Sequence, residues 1–239
     1  MRELVLTVPG ATLAFERFHV DYCCGGGKSL AEACTAAGAE LGAVLAALEE
    51  EAARPGAEIA GGEMLSVPLE RLVAQLLDVH HVRSREAAAR LPGLARQVYE
   101  AEATSADGPE LGRIAEGVDR LFADLLLHLA FEERHVFPYV VALERAGRED
   151  SAPPVALFGS ISEPIADMER EHDAADRAVH ELHRRAEAMA PRASEAARAL
   201  FAELDAHERE LVRHMHLEGN VLLPRALRLE QKIARSRRR

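Results

Sequence analysis

Residues 125–137 read LLLHLAFEERHVF, and residues 211–223 read LVRHMHLEGNVLL. Each stretch carries a histidine and a glutamate four positions apart, His128 with Glu132 and His214 with Glu218. In an α-helix positions i and i+4 lie on one face, about 6 Å apart along the axis. A single such pair is common on helices. Two pairs, flanked by Leu125, Leu129, Phe131 and Val136 and by Leu211, Val212, Leu217 and Val221, place imidazoles and carboxylates within apolar surface. Burying such groups without partners is costly, and a metal ion removes that cost. Two pairs on two helices supply the bridging ligands of a dinuclear centre.

Working outward, the chain from Val67 divides into four long helical stretches, about 68–102, 109–145, 164–189 and 194–233, with expected bends near Pro92, Pro138 and Pro224. Loops of this length suggest an up-down-up-down four-helix bundle. The third stretch offers His172 and the first offers His80 and His81. Adjacent helical residues point about 100° apart, so one of the two faces inward. The stripe Val73, Leu77, His81, Ser84, Ala88 and Leu91 stays apolar or small, which favours His81. The expected metal ligands are therefore His81, His128, Glu132, His172, His214 and Glu218. Imidazole with carboxylate suits iron, manganese or zinc, and carboxylate bridging within a bundle favours two non-haem iron ions, oxo- or hydroxo-bridged.

The other histidines are read more plainly. His135, seven after His128, packs beside the pocket, with an added ligand as the alternative. Asp176, four after His172, reads as a solvated acid, with ligation or hydrogen bonding to a ligand as alternatives. His183 lies too far along its helix to share the site. His216 is expected at the surface, and His19, His180 and His207 show no partner pattern. Asp124 and Glu171 adjoin ligand positions, where they either relay protons and hold ligand N–H groups or are simply exposed.

Residues 1–56 form a separate small helical module. Ala14, Phe15 and Phe18 share one face, Gly25–Gly27 break the chain, and Ser29-Leu30-Ala31-Glu32 reads as a capping box. A further helix is expected over 40–53. Residues 54–66 are a Gly/Pro-containing linker, 67–232 the bundle, and 233–239 a basic tail. Composition agrees with an all-α fold, because the best helix formers dominate and aromatic residues are only 4%. A net charge of −11 argues against binding free nucleic acid. No apolar run approaches the roughly 18 residues of a membrane span. With three cysteines and no signal-like N-terminus, a soluble cytoplasmic protein is expected.

The stretches DYCCGG, His81 with Arg85 and Glu86, His128-x-x-x-Glu132-Glu133 before Val-Phe-Pro138, Met168-Glu-x-Glu-His172-Asp173, and His214-x-x-x-Glu218-x-Asn-Val-Leu-x-Pro-Arg225 resemble one family. The bundle resembles hemerythrin-like HHE cation-binding domains. The N-terminal segment resembles the Cys-Cys domain of the RIC (repair of iron centres) proteins. The resemblance implies a di-iron centre of four histidines and two bridging glutamates. It also implies restoration of iron–sulfur clusters damaged by oxidative or nitrosative stress, with damaged iron–sulfur proteins as partners. Iron delivery, NO reduction and peroxide reduction are open mechanisms. A non-catalytic sensor of O₂ or NO is the alternative, and a homodimer is possible. Asp176 stands where oxygen carriers have a further histidine. His80, Asp124 and His135 stand where the family usually has an aromatic, a glutamate and an aliphatic residue. Cys23 and Cys24 match the family signature, with redox sensing, disulfide exchange or iron or sulfur delivery as functional readings, and packing of a tight turn as the plain one.

Overall fold

A computed structural model of the chain describes residues 1–23, 29–54 and 65–237. Among them every regular element is helical. The N-terminal module comprises α1 (Arg2–Thr7), α2 (Ala11–Arg17), α3 (Leu30–Ala37) and α4 (Leu41–Ala52). Its core is built from Val5, Phe15, Tyr22, Cys34, Val44 and Leu48. The capping box that opens α3 is formed in both directions: Glu32 N–H donates to Ser29 Oγ, and Ser29 N–H donates to Glu32 Oε2 at 2.8 Å. The expected Gly25–Gly27 turn, Cys24 and most of the 54–66 linker fall outside the described residues.

The bundle follows in four passes. The first is α5 (Leu69–Gln75) and α6 (Val82–Glu102), the second α7 (Gly108–Phe131) and α8 (Phe137–Arg148), the third α9 (Ser162–Met189), and the fourth α10 (Glu195–His216) and α11 (Leu223–Ser236). α6 packs on α7, α7 on α9, α9 on α10, and α10 returns to α6, which closes the ring. Amphipathic stripes explain the arrangement. On α7, for example, Leu111, Ile114, Val118, Leu121, Leu125 and Leu129 are all buried at helical spacing. Two apolar clusters result. One, containing Leu91, Ile114, Phe122, Leu129 and Leu211, fills one half of the bundle, and the other, containing Leu72, Leu76, Val136, Val140 and Val221, fills the other half.

Of the three prolines expected to bend a helix, Pro138 and Pro224 lie at a change of helix type and Pro92 does not. α6 runs through Pro92 without interruption. Three passes widen into a π-helical turn, at Leu76–His81, Glu132–Val136 and Leu217–Leu222. Pro138 and Pro224 follow directly, in the first turns of α8 and α11. A proline ring collides with the carbonyl four residues earlier in a regular α-helix, and the wider turn relieves that collision. The added residue also shifts phase. Val136, fully buried, takes the inward position expected for His135, whose half-buried ring lies beside Phe131 at 5.3 Å.

Among the described residues no single helix is long and apolar enough to cross a membrane.

Candidate metal centre

The π-turns carry the polar residues into the layer between the two apolar halves. His81 ends the first, Glu132 begins the second, and Glu218 lies near the start of the third. His128 and His214 lie one turn before the two glutamates, on α7 and α10, and His172 enters from α9. The fold thus brings six side chains from four passes together, all of them buried.

They form two overlapping groups, in each of which one ligand atom per residue lies within 4.8 Å of the others: His81, Glu132, His214 and Glu218, and His128, Glu132, His172 and Glu218. Both glutamates belong to both groups. Glu132 presents Oε2 to His81 Nε2 at 3.4 Å and Oε1 to His128 Nε2 at 3.3 Å. Glu218 presents Oε1 to His214 Nε2 at 2.8 Å and Oε2 to His172 Nε2 at 3.4 Å. Each carboxylate therefore faces one imidazole with each oxygen.

His81 Nε2, both oxygens of Glu132 and Glu218 Oε2 are buried and make no well-formed hydrogen bond. Leaving that many buried polar atoms unsatisfied would be costly in a settled core. Two imidazole nitrogens and two carboxylates converging on one point form a donor set for a divalent transition metal, and the set occurs twice.

The outer nitrogens of two imidazoles are held by acids. His81 Nδ1 meets Glu133 Oε1 at 2.7 Å, and Arg85 grips Glu133 through two hydrogen bonds of 2.7 and 2.9 Å. His128 Nδ1 meets Glu171 Oε2 at 2.6 Å. Such contacts fix which nitrogen faces inward. Glu171 occupies the supporting place beside His128, whereas Asp124 is exposed on a cavity wall. The sequence reading missed Glu133 and Arg85 in this role. The available signal was the four-residue step from His81 to Arg85 beside a Glu-Glu pair.

His80 is buried as well, but toward α10. Its Nδ1 meets Glu210 at 2.8 Å, with Arg83 on the other oxygen of Glu210, and its ring stacks on His214 with centroids 5.7 Å apart. Asp176 turns aside to His180, 3.3 Å away. His216 corrects the expectation of a surface residue: it is buried, its ring lies 5.4 Å from Tyr22, and its Nδ1 lies 3.0 Å from the Asn220 amide nitrogen. The reason is that the N-terminal module covers this face. Asn220 also donates to the Cys23 carbonyl, and Arg213 forms a double ion pair with Glu16. The Cys23 side chain is buried with the bundle core.

Electrostatics follow from the crowding of opposite charges. Burial pulls the His81 imidazole down, but Glu132, Glu218 and Glu133 overcome it and hold its pKa at about 10. His128 is likewise held at about 10, by Glu132, Glu218 and Glu171 against burial. Burial pushes the Glu218 carboxyl up, yet His214, His172 and His81 hold it well below the usual range. Beside the cluster a cavity of about 740 Å³ is lined by His128, His172, Glu171, Leu125, Arg120 and Arg185, among others.

Comparison with known proteins agrees with this arrangement. Residues 72–226 match the hemerythrin HHE cation binding domain, and residues 1–52 match ScdA_N, a domain of unknown function. The iron-sulfur cluster repair protein YtfE of Pectobacterium atrosepticum is 31% identical over 230 residues, covering 95% of this chain and 96% of that one. The protein of the same name from Salmonella choleraesuis is 30% identical over 228 residues, 94% of each chain. The chain belongs to the RIC family, with an ScdA_N module preceding a hemerythrin HHE cation-binding bundle.

Proposed function

We propose that this protein holds two non-haem iron ions as a bridged pair and restores iron–sulfur clusters damaged by oxidative or nitrosative stress. The observation that carries the reading is the sharing of Glu132 and Glu218 between two four-residue groups. His81 and His214 would hold one ion, His128 and His172 the other, and Glu132 and Glu218 belong to both groups. The relatives are iron-sulfur cluster repair proteins, which points to a damaged cluster in an iron–sulfur protein as the substrate class. Bound iron would supply one-electron redox chemistry. The chain's own contribution is to fix the imidazoles, exclude bulk water, and admit a small molecule such as NO, O₂ or peroxide along the cavity beside His128 and His172. Cys23 sits in the module that contacts the bundle, where redox exchange or hand-over of iron or sulfur, shared with its sequence neighbour Cys24, would act.

The functional test uses a dehydratase whose [4Fe–4S] cluster has been damaged by NO. The iron-loaded protein is expected to restore its activity, whereas the Glu218→Gln variant does not. Reversible O₂ or NO binding with no reactivation would instead support the sensor reading, which the cavity beside His128 and His172 also fits.

The outer acids make a separate prediction. Glu133→Gln and Glu171→Gln each weaken metal binding by about 10- to 100-fold, because a carboxylate on the far nitrogen raises imidazole basicity and fixes its orientation. Competition with a chelator of known affinity measures this.

The pH dependence follows from the signs. In the metal-free protein the raised imidazoles of His81 and His128 contribute stability that is fully present below about 6.5 and lost as pH rises through about 10. The lowered Glu218 carboxyl contributes stability present above its ordinary 4.5 and lost in acid below it. Thermal melts of the metal-free protein should therefore weaken steadily from pH 6.5 to 10. Metal binding must displace the two imidazole protons, so affinity rises over the same range.

A further inference from the structure

A second group of ligating side chains lies outside the bundle centre. His19, His183, Asp205 and Glu208 place one ligand atom each within 4.8 Å of the others. They come from three places: His19 just after α2 in the N-terminal module, His183 on α9, and Asp205 with Glu208 on α10. His183 is eleven residues beyond His172, about 16 Å along α9, so the group is separate from the di-iron candidates. This corrects the reading of His19 as a histidine without partners.

The local geometry resembles a built ligand set. The His19 and His183 rings stand 4.5 Å apart between centroids. His183 Nδ1 lies 3.2 Å from Glu208 Oε2, while its Nε2 faces Glu187 at 3.3 Å, the usual arrangement of a ligand imidazole steered by an acid on its far side. Asp205 shares its carboxylate with Arg209. Glu208 is 6% exposed. His19 holds a left-handed backbone, φ 50°, because it closes the C-terminus of α2, with its N–H donating to the Glu16 carbonyl and the Val20 N–H to the Phe15 carbonyl. A water-sized cavity of about 30 Å³ adjoins His19, Asp176, His180 and Glu208. His19 itself is exposed, which leaves a path for entry.

We infer that His19, His183, Asp205 and Glu208 form a second, mononuclear site for a divalent cation of the zinc type, and that the ion clamps the N-terminal module onto α9 and α10. Two imidazoles and two carboxylates make a four-coordinate N₂O₂ set suited to such an ion. The module bearing Cys23 is also attached by the Arg213–Glu16 pair. A metal bridge beside that pair, three residues further along the module, would fix its position above the π-turn that carries Glu218, where Asn220 already donates to the Cys23 carbonyl.

The test loads the full chain with iron, then titrates it with zinc and counts both metals after gel filtration. The wild type is expected to take one equivalent of zinc beyond the metal of the bundle centre. His19→Ala and Glu208→Gln are each expected to lose that equivalent while the iron content and optical band stay unchanged. Zinc is further expected to slow hydrogen exchange over residues 11–23 in the wild type and not in His19→Ala, a surface change that spares the bundle core. Equal zinc content in wild type and both variants would overturn the site and leave an ion-pair cluster. Loss of the zinc equivalent with no change in exchange would keep the site but overturn the clamp.

Discussion

Glu218→Ala is expected to empty both halves of the metal centre at once. The carboxylate is fully buried and belongs to both ligand groups, with Oε1 toward His214 and Oε2 toward His172. A terminal histidine serves only one group, so His81→Ala or His172→Ala should cost one ion more than the other. Loss of the shared carboxylate removes a negative charge facing four imidazoles, and the remaining Glu132 cannot balance two divalent ions. Bound iron should fall from two per chain to near zero. Glu218→Gln separates charge from shape: it keeps the volume, so the fold persists, yet an amide cannot bridge as an anion. The same loss in both variants, with helical circular dichroism retained in the Glu218→Gln protein, is the expected result. Two irons retained by the Glu218→Ala protein would mean that Glu218 does not bridge.

The second large effect concerns the apolar half of the bundle. Phe122→Ala should destabilise the protein by about 3–5 kcal/mol, the usual cost of deleting a buried aromatic ring and leaving a cavity. Phe122 is 2% exposed and packs in the cluster with Leu91, Ile114 and Leu129. For a chain of this size the melting temperature should drop by about 6–20 °C. Its ring also lies 4.8 Å from His207, which burial depresses to a pKa of about 4. Opening a cavity there should let water reach the imidazole, and the His207 titration should move up toward 6.5. A melting temperature within a degree or two of wild type would show that the bundle draws its stability from elsewhere.

Much of this architecture is legible in the sequence because its determinants are local. The four-residue spacing of His128 with Glu132 and of His214 with Glu218 is a statement about one helical turn. The stripe through Val73, Leu77 and His81 separates His81 from its neighbour His80. The Ser29–Glu32 capping box is a four-residue signature and forms as written. What escapes is set by contacts between distant segments. The π-turns carry a one-residue phase shift, which a following proline accompanies in two of the three, and no composition signal marks them. That shift moves His135 out of phase and brings Val136 in. His216 reads as surface on its own helix, and only the N-terminal module, packing through Tyr22 and Cys23, covers it. The meeting of His19 with His183 joins distant parts of the chain and has no local trace. Glu133 lies beside a ligand, yet its role depends on Arg85 and His81 arriving from another pass.

The central claim is that six side chains hold two iron ions through shared carboxylates. Mössbauer spectroscopy of the ⁵⁷Fe-loaded full-length protein, combined with metal analysis, tests it most directly. Two irons per chain are expected, with ferric spins coupled to a diamagnetic ground state. A single uncoupled iron, or zinc at the bundle centre after iron-replete expression, would contradict it.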